Sequence, residues 1–195
     1  MKRVLVFCGS SPGARPEYAA AAEQLGGLLV KRNLELVYGG ASVGLMGALA
    51  DSVLAAGGTA IGVIPTRLVE LEVAHAGLTK LHIVDTMHQR KALMGELSDA
   101  VIAMPGGTGT LDELFELFTW RQLGLHRKPI GLLDVAQYWQ PLLGFLEHEV
   151  NERFLRTQLF ETLLVERDAA SLLDELAAQT VPNTRSPASP NPGRM

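Results

Sequence analysis

Residues 99–113 read DAVIAMPGGTGTLDE, and the order of residue types in this stretch decides the fold. DAVIAM (99–104) is an apolar run of strand character, PGGTG is a turn, and LDELFELFTW (111–120) repeats its apolar residues at helical spacing. A strand that passes into a helix through a glycine-rich turn is the repeating unit of a parallel α/β sheet. The same unit recurs on both sides. RVLVFC (3–8), LELVY (34–38), TAIGVI (59–64), KLHIV (80–84) and KPIGLL (128–133) are the other strand candidates. Helices are expected at about 15–31, 43–56, 86–97, 107–123, 137–150 and 168–178. This alternation predicts a Rossmann-like, doubly wound α/β fold, a mostly parallel sheet with helices on both faces.

The chain has 195 residues, 47% of them apolar and 19% charged, enough for one domain with a substantial core, assigned to residues 1–180. The segment VPNTRSPASPNPGRM (181–195) is proline-rich and nearly without large apolar residues, so it is expected to be a disordered tail. A formal charge of -4 and the lack of a dense Lys/Arg cluster argue against a nucleic-acid partner. Cys8 is the single cysteine and has no internal disulfide partner. No apolar run reaches the roughly 20 residues that span a bilayer, and the first apolar run is too short for a signal peptide. A cytoplasmic protein without membrane association is expected. The five histidines show no HExxH or comparable spacing, so no metal is expected.

In open α/β sheets the ligand crevice lies beyond the carboxyl ends of the strands, where strand order reverses. CGSSPG (8–13), YGGASVGLMG (38–47), VDTMHQRK (84–91) and PGGTGTLDE (105–113) each follow a strand candidate and should meet at that edge. A single Gly-Gly pair is explained by a tight turn. Two such loops, each leading into a helix N-terminus, favour anion binding by unpaired N–H groups and the helix dipole. Neither loop matches a P-loop or GxGxxG, and no GxSxG elbow is present, so ATP hydrolysis, hydride transfer and serine hydrolysis are not indicated.

Thr110 and Glu113 have the spacing of a capping box, so Glu113 has a structural reading beside a chemical one. The apolar stripe Leu111, Leu114, Phe115 and Phe118 would place Glu113 beside the core in the first turn. Thr86 and Gln89 can cap the helix after the fourth strand, with Met87, Leu93, Met94 and Leu97 as its apolar face. Arg90 lies along that face, either as a snorkelling or ion-paired arginine or as a functional cation, and Lys91 is expected toward solvent. Residues 65–78, with Glu70, Glu72 and His75, read as a surface loop or a lid. Ser10 and Ser11 can bind a ligand or cap a helix.

PGGTGTLDE and MHQRK (87–91) resemble the PGGxGTxxE and MHxRK motifs of the Lonely Guy family of phosphoribohydrolases, which activate cytokinins. FCGSSPG, YGGASVGLMG and TWRQLGLHRKPIGLL look like further family segments, so the resemblance covers roughly residues 3–160. It implies hydrolysis of the N-glycosidic bond of AMP or an N6-substituted AMP, giving free base and ribose 5-phosphate. It also implies a homodimer and no dissociable cofactor. By motif position Arg90 and Glu113 are the catalytic pair. Lys91, Gly106, Gly107, Thr108, Gly109 and Thr110 would contact the nucleotide, with Glu72, Thr119, Ser10 and Gly40 as further contacts. The pairing suits the chemistry, because cleavage builds positive charge on the ribose and negative charge on the departing base. The family's older label, lysine decarboxylase, would need a cofactor-bearing lysine, for which Lys91 is the candidate. A non-catalytic nucleotide or cofactor carrier on the same fold is the alternative. Where the family has Tyr-Gly-Gly-Gly this chain has Ala41 as the last residue, a substitution costing about 1 kcal/mol if that position needs positive φ.

Overall fold

In the computed structural model, which describes residues 1–71 and 73–180, the chain opens with β1 (Arg3–Phe7), α1 (Pro16–Lys31), β2 (Glu35–Tyr38), α2 (Gly44–Ala55), β3 (Ala60–Pro65) and the short α3 (Thr66–Glu70). It continues through β4 (Lys80–Val84), α4 (Met87–Leu97), β5 (Ala100–Ala103), α5 (Thr108–Gln122) and β6 (Ile130–Leu133). A 3-10 turn (Val135–Gln137), α6 (Gln140–Asn151), α7 (Thr157–Phe160), β7 (Leu163–Glu166) and α8 (Ala169–Gln179) follow. Glu72 and the tail 181–195 lie outside the described residues.

The strands form one sheet in the order β4-β3-β2-β1-β5-β6-β7. Every neighbouring pair is parallel. The chain lays strands outward from β1 to one edge, then returns to β5 and builds toward the other. Strand order therefore reverses between β1 and β5, and the crevice opens at their carboxyl ends.

Alternation along the strands sends successive side chains to opposite faces. Val4 and Val6 pack under α1, α2 and α8 through Leu25, Leu49 and Leu172. Leu5 and Phe7 pack under α4, α5 and α6 through Met94, Leu114, Leu117 and Leu146. The sheet is thus covered on both sides, as the strand and helix rhythm predicts.

β7, α3, α7 and the 3-10 turn before α6 escape the sequence reading. LLVE of β7 is only half-buried at the sheet edge, and its apolar run, Leu163 to Val165, is three residues long, too short to read as a strand from pattern alone. The segment 65–78 is more ordered than a free loop. It contains α3, and it is tied to the loop after β2 by the Ala41–Ala74 bridge and by His75 N–H donating to the Gly40 carbonyl at 2.9 Å. Among the described residues no helix is long and apolar enough to cross a membrane.

Candidate active site

The loops beyond β1, β2 and β5 are joined through main-chain hydrogen bonds. Gly9 N–H donates to the Pro105 carbonyl at 3.0 Å, and Leu45 N–H donates to the Gly9 carbonyl at 3.0 Å. The sheet edge thereby becomes a single surface onto which α4 projects two cations.

The start of α4 is fixed by a capping box. Thr86 Oγ1 accepts from Gln89 N–H at 3.1 Å, while Gln89 Oε1 accepts from Thr86 N–H at 3.2 Å. With the start set there, the buried face of α4 is Arg90, Lys91, Met94 and Gly95, and Met87 is exposed. The apolar face read from sequence is therefore rotated, and both cations point inward.

Arg90 does not snorkel. Its Nε donates to the Val63 carbonyl of β3 at 3.0 Å and its Nη2 to the Gly39 carbonyl at 2.9 Å. Gly39 has no side chain because a Cβ there would collide with Nη2. Nη1 makes a weak contact with Met87 Sδ at 3.8 Å and stands 3.6 Å from Glu113 Oε1.

Glu113 does not cap its helix. Gly107 is the N-cap of α5 and no side chain closes that end, so Thr110 is already inside the helix and Glu113 lies in the second turn. The buried face is Thr110, Leu114, Leu117 and Phe118, and Glu113 turns beside it toward Arg90. Its side chain is 11% exposed and that of Arg90 is 8% exposed, so the pair is nearly withdrawn from water. Burial pushes the Glu113 pKa up to about 7, Arg90 pulls against it, and Asp112 adds to the rise. Cys8, at the end of β1, is buried, and burial followed by the charge of Glu113 pushes its thiol pKa upward.

Lys91 is buried rather than solvated. Its Nζ lies 3.0 Å from Asp112 Oδ2 and 3.2 Å from Glu116 Oε2. Burial alone would lower its pKa, but the two carboxylates outweigh that and hold it above the ordinary lysine value. Sequence reasoning missed Asp112 and Glu116. Their four-residue spacing, which sets two carboxylates on one helix face, was the available signal.

The first amides of α5 complete the site. Among the described residues no main-chain carbonyl or side chain pairs with the N–H groups of Gly107, Thr108, Gly109 and Thr110. Gly107 and Gly109 have open space where a Cβ would lie, so packing within the chain does not require glycine at either. Thr108 is exposed and Thr110 is buried. Ser10 is exposed beyond β1, whereas Gly40 is buried with φ +76° and its carbonyl is taken by His75. Positive φ falls on Gly40 and Gly44 but not on Ala41, so Ala41 brings no backbone strain. Thr119 is exposed farther along α5, in a groove of about 580 Å³ shared with Leu111, Asp112, Phe115, Glu116 and Trp120. That groove adjoins the Lys91 side of the site and does not contain Arg90 or Glu113. Among the described residues no three His, Cys, Asp or Glu side chains form a metal-binding group.

The model of a family described as possible lysine decarboxylase matches residues 46–176. The chain is 51% identical over 168 residues to a cytokinin riboside 5'-monophosphate phosphoribohydrolase of Rhodococcoides fascians, covering 86% of this chain and 85% of that protein. It is 47% identical over 175 residues to an Arabidopsis thaliana protein of the same name, covering 90% and 81% respectively. Among solved structures, the molybdenum cofactor carrier protein of Chlamydomonas reinhardtii matches with a TM-score of 0.70 at 18% identity, over 91% of this chain and 97% of that one. Likeness at that identity speaks for the fold alone. The decarboxylase description fits the site poorly. A lysine that carries pyridoxal phosphate must become a neutral amine, and Lys91 is held protonated between two acids.

Proposed function

The chain belongs to the family of the cytokinin riboside 5'-monophosphate phosphoribohydrolases, and from that premise we propose that it hydrolyses AMP or N6-substituted AMP at the Arg90–Glu113 pair. Water adds to C1' of the ribose, the C1'–N9 bond breaks, and free base and ribose 5-phosphate leave. The observation that carries this reading is the nearly buried acid-guanidinium pair, its acid on the helix whose first four amides find no partner among the described residues.

In this reading the 5'-phosphate binds the Gly107 to Thr110 amides and the Thr108 hydroxyl, aided by the helix dipole. The ribose then lies over Glu113. The 3.6 Å separation leaves no space for a sugar between acid and guanidinium, so the sugar packs on the open side of the pair. Ionised Glu113 stabilises the oxocarbenium-like transition state and orients the attacking water. Arg90 stays protonated and is not the acid for the leaving base. Two of its nitrogens are engaged by carbonyls, so Nη1 serves as the fixed positive charge beside Glu113 and the nucleotide. Lys91 adds a second cation, with Asp112 and Glu116 fixing its position. Glu72, Ser10, Gly40 and Thr119 remain proposed contacts by motif position. Gly40 acts through the turn it makes.

We place the enzyme in the cytoplasm as a homodimer. The half-buried Leu111, Phe115 and Trp120 of the α5 groove, with the exposed Leu123 and Leu125 beyond it, supply the apolar surface for a partner copy. Sedimentation giving only monomer would remove that element. The function is tested by incubating the protein with AMP and with N6-substituted AMP, followed by chromatography for free base and ribose 5-phosphate. Release of both products is expected. Nucleotide binding without base release would make the protein a carrier instead.

A further inference from the structure

The turn between β6 and α6 has an unusual backbone. Ala136 and Gln137, neither of them glycine, have φ of 51° and 63°. Two successive side-chain-bearing residues in the left-handed region are unfavourable unless the surroundings enforce them. Here the enforcement is visible on both sides. Asp134, only 1% exposed, accepts hydrogen bonds from Trp139 N–H at 2.8 Å and from Gln140 Nε2 at 2.7 Å. Trp139 is itself fully buried and anchors the end of the turn in the core.

Tyr138 lies between these anchors. Its ring meets the edge of Tyr18 from α1, with centroids 5.8 Å apart, and that of Trp139 at 5.0 Å. Its hydroxyl donates to the Gly106 carbonyl, one residue before the amides assigned to the phosphate. In a trans peptide the C=O and the following N–H point in opposite directions, and the described residues contain no cis peptide. A hydroxyl that holds the Gly106 carbonyl therefore also sets the direction of the Gly107 N–H, aiming it away from Tyr138. Gly107 has open space where a Cβ would lie and is held on its other side by Leu111 N–H donating to its carbonyl at 3.2 Å, which leaves the Gly106 carbonyl to the Tyr138 hydroxyl.

We propose that Tyr138 is a positioning residue for the phosphate-binding amides, and that the strained 136–137 turn is retained because it delivers the Tyr138 hydroxyl to the Gly106 carbonyl. This rests on the reading of those amides as the phosphate site. Tyr138 need not touch substrate. It orients the Gly106–Gly107 peptide, while Tyr18 and Trp139 fix the ring. A turn of different backbone geometry would swing the ring off the loop, whereas glycine at 137 adopts the same left-handed geometry without the strain.

The test separates phosphate recognition from general stability. In Tyr138→Phe, which loosens one of the four amides and leaves the phosphate anchored by the rest, KM for AMP is expected to rise about tenfold, as for loss of one positioned hydrogen bond, with a smaller fall in kcat. The inhibition constant of ribose 5-phosphate should rise in parallel, and that of adenine, which lacks phosphate, should not move. An unchanged KM in the folded variant, or an adenine constant that rises with the others, would overturn the proposal. Should Tyr138→Phe not fold, Tyr18→Leu loosens the same ring from the side and is expected to raise KM about threefold; no change there also overturns it. Gln137→Gly relieves a left-handed residue and should raise the melting temperature with KM unaltered, and a lower melting temperature would count against the strain. Absence of base release by the wild-type protein would instead sink the functional reading, and calorimetric binding of ribose 5-phosphate would still decide the role of Tyr138.

Discussion

Arg90 Nη1 stands 3.6 Å from Glu113 Oε1, near enough for the charges to interact and too far for a strong hydrogen bond. Burial therefore outweighs the guanidinium, and the Glu113 pKa rises to about 7. Stabilising a cationic ribose requires the ionised acid, so kcat/KM should climb with pH on an acid limb centred near 7 and level off above it. A pH profile for AMP hydrolysis checks this. A limb near the ordinary carboxylate value would show that Glu113 is not the titrating group.

Replacing the acid by its amide should separate activity from stability. Glu113→Gln is expected to lower kcat roughly 10²-fold or more while the protein still folds. The folded-state pKa lies above the unfolded value near 4.5, so the native state binds the extra proton between the two. The stability from that proton is full below the unfolded pKa and is lost as pH rises through about 7. The variant has no such loss. Its stability relative to wild type should therefore improve from pH 4.5 to pH 7, by an amount on the order of 3 kcal/mol. Denaturant titrations at several pH values measure it, and a pH-independent difference would refute it.

The Arg90 cradle should tolerate neither a shorter cation nor a filled Gly39. Lysine cannot reproduce the planar fork that reaches Val63 and Gly39 together, so Arg90→Lys leaves a buried carbonyl unpaired at a cost of about 1–3 kcal/mol. Gly39→Ala keeps the arginine but puts a methyl group where Nη2 lies. Both variants should lose kcat/KM by roughly tenfold or more, and both should melt lower. Full activity in Gly39→Ala would mean that the guanidinium can work from another position.

What the sequence made legible was the strand-turn-helix grammar, and what it hid was rotation and long-range partnership. DAVIAM followed by PGGTG correctly located β5 and the start of α5, because apolar runs and glycine turns are local signals. Motif position picked out Arg90 and Glu113, and the coordinates bring those side chains together. The capping-box spacing of Thr110 and Glu113 misled because Gly107, with no side chain to cap, starts the helix three residues earlier. Arg90 and Lys91 looked like cations flanking an apolar face. Their burial depends on carbonyls from β3 and the loop after β2 and on carboxylates of α5, partners that periodicity within α4 cannot reveal. Tyr138 was hidden for the same reason, being 32 residues from the carbonyl it holds.

Removing the 5'-phosphate from the substrate should cost more than affinity. In the proposed reading the phosphate lies far from the breaking C1'–N9 bond, yet its anchorage at the Gly107 to Thr110 amides would fix where the ribose stands over Glu113. Binding energy from such a remote group holds the reacting carbon in place in the transition state. Adenosine should therefore show a lower kcat as well as a higher KM than AMP, with kcat/KM reduced roughly 10³-fold or more. A rise in KM alone would make the amides a simple affinity handle. Equal kcat/KM for the two substrates would remove the phosphate from the α5 N-terminus altogether, and Glu113 would have to find its ribose by contacts other than those amides.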